Sequence, residues 1–98
     1  LILESVYKLL RGCYAGTETM NNIRLLAKDY PTLGRHFEKR MKKFSDSGRL
    51  EADPDEYGNK VIYNISDSED DYKKACIDYI AGMTDTYAEK IFGEMTTF

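Results

Sequence analysis

The chain has 98 residues, a formal net charge of −3 and 42% hydrophobic residues, 12% of the total being aromatic. That is one domain or a piece of one, too apolar to be a disordered segment. The acidic balance argues against a domain whose main work is gripping a nucleic-acid backbone, although a local basic face remains compatible with it.

Residues 1–15 place Leu3, Val6, Tyr7, Leu10, Cys13 and Tyr14 on one helical face, and Ile2 and Leu9 widen the stripe. A stripe this broad predicts burial on more than one side and suits association with further chain. The sequence opens at Leu1, without Met and already in helical register, as expected of a segment cut from something longer. Gly16 should end this helix. Thr17 is then a candidate N-cap with Glu18 in the first turn, and Met20, Ile23, Leu26, Ala27 and Tyr30 mark a second helix that Pro31 stops.

Thr32 can cap a third helix, with Leu33, Phe37, Met41 and Phe44 on its buried face. Its other face is basic: Arg35, Lys39, Arg40, Lys42 and Lys43, with His36 beside them. Such a face is either simply solvated or a surface for phosphate, with a role toward an anion or nucleotide left open. Ser47-Gly48 should close this helix. Residues 50–65 then change character. Turn formers at 54–59 precede the β-favouring Val61, Ile62, Tyr63 and Ile65, which predicts a short hairpin or an irregular excursion. Ser66 and Glu69 have capping-box spacing and start a last helix running without interruption to about Glu94. The expected fold is all-α, a bundle of about four helices with a short β-hairpin around 50–65. The tail after Met95 should fray.

Cys13 and Cys76 lie on apolar stripes and read as buried free thiols of a cytoplasmic protein. No apolar run approaches the roughly 18 residues of a membrane span, so no membrane contact is expected. With no CxxC pair and His36 as the lone histidine, a zinc site is not expected either.

The least generic stretch is residues 78–88. On a continuous helix, Asp71, Asp78 and Asp85 stand a heptad apart on one side, with Gly82 between the last two. Glycine inside a helix costs about 1 kcal/mol against alanine, which suggests close approach of a neighbouring helix or a ligand. Thr84 can bond back to the preceding turn, and the Tyr79 and Tyr87 hydroxyls need partners if buried. Periodicity alone leaves two readings open, a packing notch or a ligand site.

The run Asp78-Tyr79-Ile80-Ala81-Gly82-Met83-Thr84-Asp85, followed by Tyr87 and Ala88, resembles the C-terminal signature of the dGTPase-type deoxynucleoside triphosphate triphosphohydrolases, members of the HD-domain phosphohydrolase superfamily. Thr86 departs from it, because the family usually carries Arg there. Residues 89–95 suit the family's closing helix, and residues 14–24 loosely resemble the segment after its catalytic core. The resemblance implies an all-helical, homo-oligomeric enzyme. It would split a dNTP into deoxynucleoside and tripolyphosphate with water activated by a divalent metal such as Mn²⁺ or Mg²⁺. The family holds that metal with a His…His-Asp…Asp motif, and no His-Asp dipeptide occurs here. No catalytic residue or metal ligand therefore carries over. The chain is expected to be the C-terminal helical part of such an enzyme, inactive alone and itself without cofactor. Asp78, Tyr79, Gly82, Thr84, Asp85 and Tyr87 would support the nucleotide pocket or an interface, with Tyr79 and Asp85 the best placed to reach one. Arg35, His36, Lys39, Arg40 and Lys43 would meet phosphate or single-stranded nucleic acid.

Two rival readings stand beside this. Three short helices followed by a hairpin, the third helix basic, have the order of a winged-helix nucleic-acid-binding module. A purely structural helical interaction domain is the other.

Overall fold

In a computed structural model, residues 2–96 are described, Ile2 by its backbone alone. The expectations at Leu1, at the Ile2 side chain and for the tail at Thr97-Phe98 lie outside them. The elements in order are α1 (Ile2–Arg11), a 3-10 turn (Gly16–Glu18), α2 (Thr19–Asp29), α3 (Pro31–Phe44), α4 (Asp46–Glu51), α5 (Glu69–Ala81) and α6 (Asp85–Thr96). The fold is an all-α bundle.

α3 runs through the middle. Leu33, Phe37 and Met41 are fully buried along one face, as their spacing requires. They meet Met20 and Ile23 of α2, Tyr72, Ala75 and Cys76 of α5, and Ile91 of α6 in one cluster. Pro31 occupies the first turn of α3, where its missing N–H costs nothing. The other orphan donors there are not met by Thr32. The Glu94 carboxylate of α6 accepts from the backbone N–H of Thr32 at 2.8 Å and of Leu33 at 3.1 Å. α2 and α3 pack closely because Gly34 faces Ala27, where a Cβ would overlap the Ala27 backbone.

Much of the broad stripe on α1 is used within this chain. Val6 and Leu10 are fully buried, and the Tyr72 hydroxyl of α5 donates to the Leu10 carbonyl. The first helix is shorter than expected, ending at Arg11. Cys13 lies beyond it, with Sγ directed at the Leu9 and Asn22 carbonyls. The second helix starts at Thr19, with Glu18 and not Thr17 at its N-cap. Thr19 is fully buried, and its hydroxyl accepts from Ala15 N–H at 3.0 Å while donating to the Gly16 carbonyl at 2.8 Å. Both cysteines are free and buried, and burial pushes their thiols up to about 11 for Cys13 and about 12 for Cys76.

The largest departures lie between residues 45 and 85. Ser47-Gly48 does not close α3. That helix ends at Phe44, and Ser45 turns the chain into α4, with Ser47 and Gly48 inside the new helix. The Ser45 hydroxyl is fully buried, donates to the Met41 carbonyl at 2.7 Å and accepts from Gly48 N–H at 3.0 Å. Gly48 has no alternative here, because a Cβ would fall inside the Met41 carbonyl.

The expected hairpin does not form. Residues 46–51 are helical, and the β-favouring run makes only an isolated parallel bridge between Ser45 and Tyr63. Phe44 O accepts from Ile62 and Tyr63 N–H, and Tyr63 O accepts from Asp46 N–H. The run is therefore consumed as a brace on the α3–α4 corner. A winged helix loses its wing. The 66–69 capping box is also displaced. Ser68 caps α5, accepting from Asp71 N–H at 3.1 Å, while the Ser66 hydroxyl donates to Asp46 at 2.5 Å. Burial works against the charged form of Asp46, but bonds from Ser66, Ser47 and Ile65 outweigh it and hold its pKa below the usual carboxylate value.

The α3–α4 corner makes a sharp prediction. Gly48→Ala should destabilise the chain by more than about 3 kcal/mol, since the added methyl must displace a helix backbone rather than a flexible side chain. Urea unfolding of the variant beside the parent chain measures it.

Candidate functional site

The signature is not the middle of a helix. α5 ends at Ala81, Gly82 is its C-cap at φ −88° and ψ 0°, and α6 begins at Asp85. The Thr84 hydroxyl accepts from Tyr87 N–H at 3.1 Å and the Thr84 carbonyl accepts from Ala88 N–H at 2.9 Å, so Thr84 is the cap that starts α6. Asp85 sits in the first turn, where a negative charge suits the helix dipole. The odd composition of this run is the chemistry of a helix–break–helix corner. Asp78 and Asp85 consequently do not share a helix face.

Gly82 is exposed, and a Cβ there would meet nothing nearer than the Asp78 carbonyl at 3.5 Å. No neighbouring helix crosses at it, so the packing notch expected of Gly82 is absent. Thr84 likewise caps forward instead of bonding back.

The corner and α3 enclose a cavity of about 300 Å³, lined by His36 and Arg40 from α3 and by Tyr79, Gly82, Met83, Thr84 and Tyr87 from the signature. Two groups far apart in sequence thus share one wall. The Tyr79 and Tyr87 hydroxyls bond to each other at 2.5 Å, and their rings meet edge to face. His36 stacks on Tyr87 with centroids 5.1 Å apart and planes inclined by 14°. Phe37 supports Tyr79 from the core side, edge on at 5.2 Å. Burial raises the pKa of Tyr79, reinforced by the bond to Tyr87, and burial likewise raises that of Tyr87. Both phenols are neutral hydrogen-bonding groups at neutral pH, not bases.

Arg40 is the half-buried cation of the set. Its guanidinium lies 5.1 Å over the Phe44 ring, and its Nε is buried with no hydrogen-bond partner. Behind it, the Tyr63 hydroxyl donates to Asp78 at 2.5 Å. Burial raises the Tyr63 pKa, the Asp78 bond adds to this, and Arg40 opposes it. Asp78 therefore ties α5 to the bridge residue Tyr63 and does not line the cavity.

Asp85 is exposed and lines a separate hollow with Ala88, Glu89 and Phe92. Thr86, the departure from the signature, is also exposed. Arg35, Lys39 and Lys43 are exposed on α3. Lys42 turns aside to Glu38 at 3.8 Å, and Glu38 also meets Arg24 at 3.7 Å.

Sequence reasoning gave no site role to Glu94 or Tyr63. Each acts through a contact with a distant element, and no local spacing signals that. The cavity offers one cation, an imidazole and neutral phenols, which suits holding an anion or a flat ring. Among the described residues no group of three or more His, Cys, Asp and Glu is placed to hold a metal ion. No described helix is long and apolar enough to cross a membrane.

Residues 47–94 match the family model of the phosphohydrolase-associated domain. The matched stretch runs from α4 through the signature to Glu94, and it supports an HD-domain phosphohydrolase context for this part of the chain. No curated protein and no solved structure matches the chain.

The site yields expectations on two scales. Gly82→Ala should change unfolding free energy by less than about 1 kcal/mol, in contrast to the α3–α4 corner, because the position has room and an ordinary φ. The tyrosines set an alkaline limit. Folded Tyr72 and Tyr79 ionise above the unfolded value of about 10 because they are buried. The stability tied to their neutral forms is complete below that pH and is lost as pH climbs toward the folded values. Ultraviolet-monitored titration should show these phenols ionising together with loss of helical circular dichroism, not before it.

Proposed function

We propose that this chain is the C-terminal helical part of a dGTPase-like dNTP triphosphohydrolase. Its role is to wall the nucleotide pocket and to contribute subunit contacts, while the catalytic metal is held by residues outside it. The observation that carries this reading is the cavity in which Arg40 and His36 meet Tyr79 and Tyr87 of the signature. It is supported by the phosphohydrolase-associated match over residues 47–94.

The chemistry of the wall follows from its groups. The Arg40 guanidinium gives charge and directional donors for a phosphate oxygen. Tyr79 and Tyr87 hold each other in fixed orientation, so they offer a rigid edge to a sugar or base at small entropic cost. Asp85 and Phe92 lie on the outer side of α6, where a second subunit would dock. The wall holds no carboxylate or thiol, so the segment positions substrate and the reaction needs the rest of the enzyme.

The test begins with the coding sequence on either side of this segment. A region carrying a His…His-Asp…Asp motif in the same reading frame is expected, and a stop codon or an unrelated domain there overturns the assignment. In that whole protein, Arg40→Ala should lower kcat/KM for dNTP hydrolysis by about tenfold, the value of one charge-assisted hydrogen bond. Unchanged kinetics would remove Arg40 from the pocket wall.

A further inference from the structure

A hollow of about 460 Å³ lies where α1 meets the first turn of α5, and it shares no residue with the cavity at the signature. Its volume falls within the range of small-molecule sites. Tyr7 and Tyr14 give it half-buried aromatic surface, and Gly12 adds no side chain to fill it. The aromatic side is held from behind. The Tyr14 ring lies 5.3 Å from that of Tyr72, which is fully buried and whose hydroxyl ties α5 to the Leu10 carbonyl of α1. A ligand entering here meets a shape already formed, so little ordering is left for it to impose.

The charges around the hollow decide what that ligand carries. Lys8 pairs with Glu4 at 3.6 Å, and Arg11 pairs with Glu69 at 3.5 Å. All four side chains are between 42% and 73% exposed, and pairs this open contribute little and give up their partners readily. The lining balances two cations against two carboxylates. A simple anion would take Arg11 and strand Glu69 beside Asp70 and Asp71 in the first turn of α5. A simple cation would take Glu69 and strand Arg11. A molecule with both signs close together can enter between Arg11 and Glu69 and leave neither alone.

We propose that this hollow is a binding site for a free α-amino acid with an apolar side chain. Its carboxylate would meet the Arg11 guanidinium, whose planar fork matches a carboxylate. Its ammonium group, one carbon away, would meet Glu69. Its side chain would lie against Tyr7 and Tyr14, while Lys8 and Glu4 satisfy each other at the rim. All of the lining except Glu69 comes from residues outside the matched stretch 47–94, and the inference does not depend on triphosphohydrolase chemistry.

Titration of the isotope-labelled full chain with L-leucine and L-phenylalanine, followed by heteronuclear NMR, tests it. Saturating shifts are expected at residues 4–14 and at Glu69. N-acetyl-L-leucine and L-leucinamide each remove one ligand charge and should bind about tenfold more weakly than leucine, the value of one charge-assisted hydrogen bond. Arg11→Gln and Glu69→Gln should each weaken leucine binding by a similar factor, with circular dichroism confirming that both variants stay folded. Absence of shifts at these residues overturns the proposal. N-acetyl-leucine binding as well as leucine would make the hollow an anion site, and leucinamide doing so would make it a cation site. Either result removes the amino acid, as would folded variants that both bind leucine like the parent.

Discussion

Helix α3 owes the satisfaction of its ends to other parts of the chain, and most of the structure follows from that. Its N-terminal donors are met by Glu94, from the far end of the sequence. Its C-terminal carbonyls are met by Ser45, Arg49, Asn59 and the backbone of Ile62 and Tyr63. A helix with unsatisfied ends next to a buried core would carry several costly orphan groups. α4, the bridge at Tyr63 and the placement of α6 can each be read as an answer to that demand. The corner at Ser45 depends on Gly48, and the whole brace depends on the corner.

The same arrangement explains which parts were legible in the sequence. α3 itself was, because Pro31 and the spacing of Leu33, Phe37 and Met41 are local signals with one physical meaning. The break between α5 and α6 was not. Tyr72, Cys76, Met83, Tyr87 and Ile91 keep a helical period across it, and no proline interrupts them. What marks the break is cap chemistry, Gly82 before Thr84-Asp85, and periodicity outvoted it. The 66–69 box misled in the opposite way. Ser66 had the right spacing, but Asp46 offered it a better partner through the fold, and Ser68 took the cap. Residues 61–65 have β-favouring side chains and nothing to pair with except the α3–α4 corner, so they supply a bridge and no hairpin.

The candidate site was legible as two lists and not as one place. Spacing singled out the basic face of α3, and resemblance singled out the signature. Neither carries the information that His36 and Arg40 lie opposite Tyr79 and Tyr87, because that depends on how α5 and α6 turn at Gly82. Had the last helix been continuous, Asp85 would have followed Asp78 along one face. The turn instead sends Asp85 to the outer side of α6 and brings Tyr87 back over His36.

The turn therefore gives the signature its use. A straight helix presents residues at fixed angles and can place one stripe on one neighbour. A helix broken by Gly82 and restarted by Thr84 can bury Cys76 and Ile91 in the same core while holding two tyrosines against each other above it. Glu94 then locks the second segment onto the start of α3, the helix that supplies Arg40. The hydroxyl pair and the guanidinium are held from opposite sides by one set of contacts. The cavity is thereby built from α3, α5, α6 and the three-residue corner at 82–84, and the packing on both sides of that corner holds it as a wall must be held if it is to orient a bound group.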